Sequence, residues 1–378
     1  MGFLLGGLGY IVPFLVVLTV LVFVHELGHY SVARWNGVRI EVFSIGFGPE
    51  LFGWTDRVGT RWKVGVLPLG GYVRMFGEGD RVSAASADQT AAEASADRTG
   101  SFRHKRLWQR AAVVAAGPVA NFIFAIVALA VIFATVGQAF TPAEVGGVEA
   151  GSAAAAAGIQ PGDRILAIDG RGIQRFEALQ QIVQLNTGTP MTILLDRGGK
   201  NLTVTATPNV ISETDRFGSS HQTTRLGISR QRVDYVRHNP ASAIWYAGQE
   251  TWNLTTGTLR AVGQMISGRR SSEELSGPVG IIRMSGEVAE GGIVSIVWFM
   301  AVLSVNLGLI NLFPIPVLDG GHLLFYVAEA IRGKPLGERA QEYGFRVGLA
   351  LVLTLMVFAT WNDLVRLRIV EFIKGLVT

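Results

Sequence analysis

IVPFLVVLTVLVFVHELGHY, residues 11–30, is the stretch on which the reading of the chain turns. An uninterrupted apolar run passes straight into two histidines and a glutamate. With Tyr10 it spans residues 10–30, close to the ~20 residues that a bilayer core requires. No basic segment precedes it and no small-residue cleavage site follows, so it reads as a retained span rather than a removed leader. On a helix, His25 and His29 share a face. Both imidazoles can then bind one Zn²⁺, with Glu26 beside them as general base for a water. Ionisable groups at the end of an apolar span are costly and are usually kept for function. The plainer alternative, that HELGH marks the end of a helix at the interface, accounts for one histidine but not for two at ligand spacing.

Working outward, three further apolar runs cover residues 111–136, 293–313 and 345–361. Of the 378 residues, 49% are hydrophobic and only 16% charged, whereas soluble domains carry nearer a quarter charged. There is no cysteine, which excludes disulfides and thiolate metal sites and leaves His, Asp, Glu and backbone oxygens as ligands. The net charge of +4 comes from basic residues beside the spans. No aromatic-basic motif points to nucleic acid, and nucleic acid is not an expected partner.

The loop between the first two spans carries Arg34, Arg39, Arg57, Arg61, Lys63 and Arg74, then Arg103, Lys105, Arg106 and Arg110. That puts it on the cytoplasmic side, with the N-terminus outside. Arg332, Lys334 and Arg339 agree; Arg366, Arg368 and Lys374 do not. Within this loop, residues 38–76 alternate short apolar strands with glycines and read as β-hairpins lying against the membrane. Residues 80–100 are small and polar without periodicity and read as a surface loop. Residues 137–210 hold short strands, a helix candidate LQQIVQLN and Gly-Asp and Asp-Gly turns, an α+β module on the outer side. Residues 211–292 read as an amphipathic connector. The membrane core is thus expected in two parts, 1–136 and 293–378.

A second polar interruption lies at the end of the third span: NLFPIPVLDGGHLL, residues 311–324. Two prolines and a Gly-Gly pair break a helix at membrane depth, which is tolerated where the backbone is buried in protein or lines a watery cavity. Asp319 in that break can supply a third ligand, since catalytic zinc usually takes three protein ligands and water. Capping of the following helix is the alternative. His322 reads as helix-start packing, His104 as part of the basic flank, and Trp54, Trp62, Trp245, Trp252 and Trp298 as interface anchors. The small residues of AAGPVANFIFA imply close helix packing.

HELGH, the GFGP and LPLGGYV strands, AGPVANFIFA, GPVGI and NLFPIPVLDGGH together resemble the site-2 protease family, the intramembrane zinc metalloproteases of peptidase family M50. The bacterial regulator-of-sigma-E type is the nearest form. AGIQPGDRILAIDG, residues 157–170, is similar to a PDZ domain of the bacterial protease type. The resemblance spans nearly the whole chain. It implies a polytopic α-helical membrane protein of about four transmembrane helices, with membrane-associated β-hairpins and an α+β PDZ domain. It further implies Zn²⁺ on His25, His29 and Asp319, Glu26 as the catalytic base, and Asn311 holding substrate. Gly70, Gly71 and Tyr72 would form a strand edge that pairs with an unwound substrate. Expected partners are single-span membrane proteins, such as anti-sigma factors or signal-peptide-like segments, in the lipid bilayer of a bacterial inner membrane. The N-terminus and PDZ domain would be periplasmic and the active site near the cytoplasmic side. Some relatives carry two PDZ domains; one is legible here. A metal or ion transporter and a silent PDZ scaffold are the alternatives. The first does not need Glu26 and often shows internal repeats, and the second has no use for the four polar site residues.

Overall fold

A computed structural model of the protein describes residues 2–77, 100–186, 188–214, 220–231, 234–268 and 276–366. The polar loop expected at 80–100 lies, apart from Gly100, outside the described residues. The chain divides into two compact units, Phe133–Asn239 and the remainder. Four helices are long and apolar enough to cross a membrane: Gly9–Trp35, Leu107–Thr135, Ile293–Asn311 and Arg339–Val365, with mean hydropathies of 2.3, 2.3, 2.3 and 1.7.

The first helix, α1 (Gly2–Trp35), is followed by β1 (Ile40–Thr55) and β2 (Arg61–Met75). These strands are one long antiparallel hairpin rather than several short ones, and it curls on itself. Ile40 to Ile45 pair with 71–75 on one side and, through Val42 to Ile45, with 61–64 on the other; 61–64 pair in turn with 52–55. The curl pivots on Gly46 (φ 86), where a Cβ would stand 2.8 Å from the Leu67 carbonyl oxygen. Only glycine takes that φ beside so close a backbone. The segment 71–75 is left at an outer edge of this sheet. Trp62, expected as an interface anchor, instead packs within the hairpin: it stacks on Phe43 at 4.3 Å and donates to Asp56 at 2.9 Å. Trp54 is exposed, as expected.

The second membrane helix is α2 (Leu107–Thr135). Ala33 at the end of α1, Val38, Ile40 and Met75 of the hairpin region, Phe102 and Val113 of α2 form one buried cluster. It fixes the end of α1 against the hairpin and the start of α2.

The unit Phe133–Asn239 contains β3 (Gln138–Phe140), β4 (Val145–Val148), α3 (Ala153–Ala156), β5 (Arg164–Ile168), β6 (Arg171–Gly172) and α4 (Phe176–Leu185). Then follow β7 (Met191–Arg197), β8 (Lys200–Ala206), β9 (Asn209–Thr214), β10 (Ser220–Arg225), β11 (Ile228–Arg230) and β12 (Asp234–Val236). A four-stranded sheet has the order β6-β5-β7-β8, while β11 pairs with β4 and β12 with β3. The unit therefore extends past residue 210, where the sequence pattern puts its end. The physical reason is that β3 and β4 would otherwise leave backbone groups unpaired, and Leu226 joins the core of Ile165, Ile193 and Leu195. The first part of the expected connector is strand, not amphipathic helix.

Beyond it come α5 (Pro240–Ile266), α6 (Pro278–Glu290), α7 (Ile293–Asn311), α8 (Asp319–Arg332) and α9 (Glu338–Arg366). α5 buries Ala243, Ala247 and Thr251, a stripe with one residue every fourth position, and exposes Trp245 and Trp252. Buried Asp363 of α9 accepts the Gly280 N–H at 2.8 Å and so satisfies one free donor at the start of α6. α9 runs past both ends of the apolar run 345–361, because its polar first turns continue the helix with an Arg346–Glu342 pair at i,i+4. Val17 and Leu21 of α1 pack with Phe299 of α7 in a further buried cluster.

Asp163 is almost wholly buried, at 1% exposure. Arg197 donates to both of its oxygens at 2.7 Å, and the Gln160 amide donates at 2.8 Å. The Arg197 bonds hold the Asp163 carboxyl below its ordinary value of 3.8, against the opposing effect of burial. A carboxyl depressed on folding adds stability above its unfolded pKa and loses it as pH falls through the folded one. Asp163→Asn is thus expected to lower hydrogen-exchange protection of β5 and β7 in the full chain at pH 7. The gap to the parent should narrow below about pH 4. Equal protection at pH 7 would rule the pair out as a stabilising contact.

Candidate metal centre

α1 places His25 and His29 one turn apart, and their Nε2 atoms lie 3.2 Å from each other. Asp319 Oδ2 lies 3.2 Å from His25 Nε2 and 3.5 Å from His29 Nε2. Tetrahedral zinc with bonds of about 2.0–2.1 Å holds its ligand atoms about 3.3 Å apart, so the three donors already have the spacing of a shared cation. Asp319 Oδ2 is buried and has no hydrogen-bond donor among the described residues. A carboxylate oxygen that faces two ring nitrogens at ion-pair distance, with no aligned hydrogen bond, fits a shared metal. Glu26 sits beside them and lies against β2, where a Cβ on Gly71 would stand 3.1 Å from its Cγ.

The backbone brings Asp319 here by a tight reversal. α7 ends at Asn311, and Ile315 N–H donates to the Phe313 carbonyl at 2.7 Å. Val317 stands at φ 126, rare for a β-branched residue and of the kind found at functional sites. The Gly320–Gly321 pair makes the fold-back possible, since a Cβ on either would overlap carbonyl oxygens of the break. Asp319 is the first residue of α8, and the cap position Leu318 makes no side-chain cap bond. The Asp319 carboxylate points to the histidines instead of capping its helix.

α2 supports the histidines from behind. His29 Nδ1 donates to the Val113 carbonyl at 2.9 Å, which leaves Nε2 as the lone pair toward the centre. Pro118 lacks the N–H that the Val114 carbonyl would have accepted, which loosens the helix ladder in the same turn. A Cβ on Gly117 would overlap His29 Nε2, and one on Gly28 would overlap the Ala116 carbonyl oxygen. These glycines let the two helices touch. Arg110 ties the start of α2 to α8, donating to Glu329 at 2.6 Å and lying over the Tyr326 ring at 5.0 Å.

The site opens into a cavity of about 300 Å³ lined by His25, Glu26, His29 and Asp319 together with Gly71, Tyr72, Asn311 and His322. Of the residues proposed from the sequence for catalysis, metal or substrate, all but Gly70 reach it. Gly70, at φ 155, lies one residue away against Phe47. His322 shares the cavity, although its sequence context pointed to packing. His104 is elsewhere, in a short turn with Ser101. Asn121 was missed: it is fully buried and 3.0 Å from His25 Nδ1. A lone amide in an apolar span was the signal. A larger cavity, about 760 Å³, lies in the other unit between α4 and the β10–β11 segment and holds none of these groups.

Residues 13–355 match the model of peptidase family M50. The chain belongs to peptidase family M50. A protein of Agrobacterium fabrum named as a zinc metalloprotease is 46% identical over 360 residues, covering 94% of this chain and 96% of its own length. One of Rhizobium meliloti, with the same style of name, is 45% identical over 96% of this chain and 99% of its own. Metalloprotease MmpA of Caulobacter vibrioides is 41% identical over 99% and 100%. A solved PDZ domain of an SdrC-like protein from Listeria monocytogenes is 22% identical, covering 24% of this chain and 88% of that one with a TM-score of 0.20. With its family and four apolar helices, this M50 peptidase is a multi-pass membrane zinc metalloendopeptidase.

Gly117→Ala adds a methyl group where His29 Nε2 stands. A ring displaced by about 1 Å costs on the order of 100-fold in turnover. Proteolysis by this variant is expected to fall by that order, with zinc retained less tightly; unchanged turnover would mean that α2 does not set the position of His29.

Proposed function

We propose that this M50 peptidase cuts membrane proteins within or beside the bilayer, with His25, His29 and Asp319 holding zinc and Glu26 acting as the general base. The observation that carries the reading is the convergence of three donor atoms and a carboxylate on one cavity where two apolar helices end. Zinc bound there supplies a Lewis acid for the scissile carbonyl and lowers the pKa of its water. Glu26 takes the proton of the attacking water and passes it to the leaving amide nitrogen. The close approach of Gly71 to Glu26 Cγ keeps that side chain at the cavity wall.

A transmembrane substrate helix satisfies its own backbone bonds and hides its carbonyls. Cleavage requires a few residues to unwind and find new partners. The outer edge of the 71–75 segment, with Gly71 and Tyr72 on the cavity, can accept an extended strand by β-addition. Gly71 has no side chain to obstruct it, and the Asn311 amide supplies further hydrogen bonds to the substrate backbone. The substrates are single-span proteins, of the anti-sigma-factor or signal-peptide-like kind, cut in regulated proteolysis at a bacterial inner membrane. The unit Phe133–Asn239, which we take as a PDZ domain, is periplasmic together with the N-terminus. The hairpin and the site are toward the cytoplasm, as the basic loop between α1 and α2 requires.

The decisive assay is incubation of the purified protein with a tagged single-span substrate, with and without a zinc chelator. Glu26→Gln keeps size and polarity but cannot take the proton, so cleavage should fall by about 10²–10⁴-fold with zinc still bound. Asp319→Asn, in contrast, should lose zinc as well as turnover. Zinc at parental affinity in Asp319→Asn would return that residue to a structural role.

Topology is open to cysteine labelling, because the chain has no cysteine of its own. Val58→Cys in the exposed hairpin turn should react from the cytoplasmic side only, and Lys200→Cys in the other unit from the outside only. Reaction of both from one side would overturn the orientation.

A further inference from the structure

His25 and His29 each have a second ring nitrogen, and α2 meets both. Val113, Gly117 and Asn121 follow at four-residue intervals on one face of α2. Val113 accepts from His29, Gly117 gives the rings room, and Asn121 meets His25. We propose that Asn121 is a positioning residue of the metal centre, its amide oxygen accepting from His25 Nδ1–H so that Nε2 faces the zinc as a lone pair. The inference rests on the reading of His25 as a zinc ligand.

A neutral imidazole carries one N–H. If Nε2 is given to a cation, the proton is on Nδ1, which then needs an acceptor. Asn121 is placed with Nδ2 3.0 Å from His25 Nδ1, and its Oδ1 is buried with no partner among the described residues. Two donors cannot face each other. The two ends of an amide are distinguished only by their hydrogen-bond partners, and a half-turn of the side chain exchanges them. It brings the stranded oxygen onto Nδ1–H and gives His25 the same support that Val113 gives His29. Ligating histidines nearly always donate their other N–H in this way.

Asn121 is also held where it can act. The Ser304 hydroxyl of α7 donates to its backbone carbonyl at 2.9 Å. The absence of a side chain at Gly308 lets α7 close on the same turn, where a Cβ would stand 3.2 Å from Asn121 Cβ. That bond uses the backbone and survives any change of side chain. Among the described residues, the one hydrogen-bond partner of the Asn121 amide is His25. A purely interhelical role has no contact to draw on.

The test measures zinc affinity of the purified full-length protein by competition with a fluorescent chelator, without reference to activity. Asn121→Leu, similar in volume and with no acceptor, is expected to bind zinc about 10–100-fold more weakly. Asn121→Asp keeps the acceptor and should bind as tightly as the parent or more so. A packing role predicts the reverse order, because leucine fills the space and a buried carboxylate does not. Parental affinity in Asn121→Leu, or weakened zinc binding in a folded Asn121→Asp, would overturn the proposal. If Asn121→Leu does not fold, Asn121→Asp decides alone. His25→Ala is measured alongside: if it binds zinc as the parent does, the ligand assignment has failed; if it binds more weakly while Asn121→Leu does not, only the role of Asn121 has.

Discussion

Two histidines in an apolar helix impose the constraint that organises the membrane core. Each imidazole has two nitrogens, and in hydrocarbon neither can turn to water. One nitrogen of each ring faces Asp319 and the other faces α2. For both to be met, α2 must lie directly against α1, closer than ordinary side chains allow. Gly28 and Gly117 remove the Cβ atoms that would prevent it. The reversal after α7 must then deliver a carboxylate to the remaining side, which accounts for the prolines, the Gly-Gly pair and the unusual backbone at Val317.

The hairpin answers a related demand. Its last segment lies against α1 so that Gly71 lies beside Val22 and Glu26. A sheet edge offers unpaired backbone groups, and this one lies next to Glu26. The curl at Gly46 pairs 40–45 and 61–64 on both sides, and of the two remaining edges, 52–55 and 71–75, the second has Gly71 and Tyr72 on the cavity. The candidate metal ligands of α1 and the free edge of β2 thus belong to one packed element pair.

The Asn121 amide extends the same logic. Polar groups in a membrane helix are retained where they have a partner, and the partner here is a ring nitrogen of His25. Ser304 and Gly308 of α7 converge on the same turn of α2. The helix that ends at Asn311 therefore also braces the support of His25, so both sides of the cavity are referred to α2.

The spans, the HELGH pair and the broken helix with Asp319 were legible in the sequence because each depends on local chemistry: length and apolarity for spans, helical spacing for the histidines, prolines and glycines for the break. The boundary of the unit Phe133–Asn239 was not legible. β11 and β12 close β4 and β3, laid down far earlier in the chain, and no local pattern records a pairing at that distance. Trp62 read as an interface anchor because a tryptophan beside a membrane usually is one, yet Phe43, Trp54 and Asp56 claim it once the hairpin curls. Asn121 was hidden for the same reason: its sequence neighbours explain it as packing, and only the antiparallel approach of α2 to α1 puts it on His25. Sequence by itself determined which groups could perform zinc hydrolysis in a membrane. Tertiary structure decided which of them meet, because ligand geometry and ring orientation are set by backbones far apart in the chain.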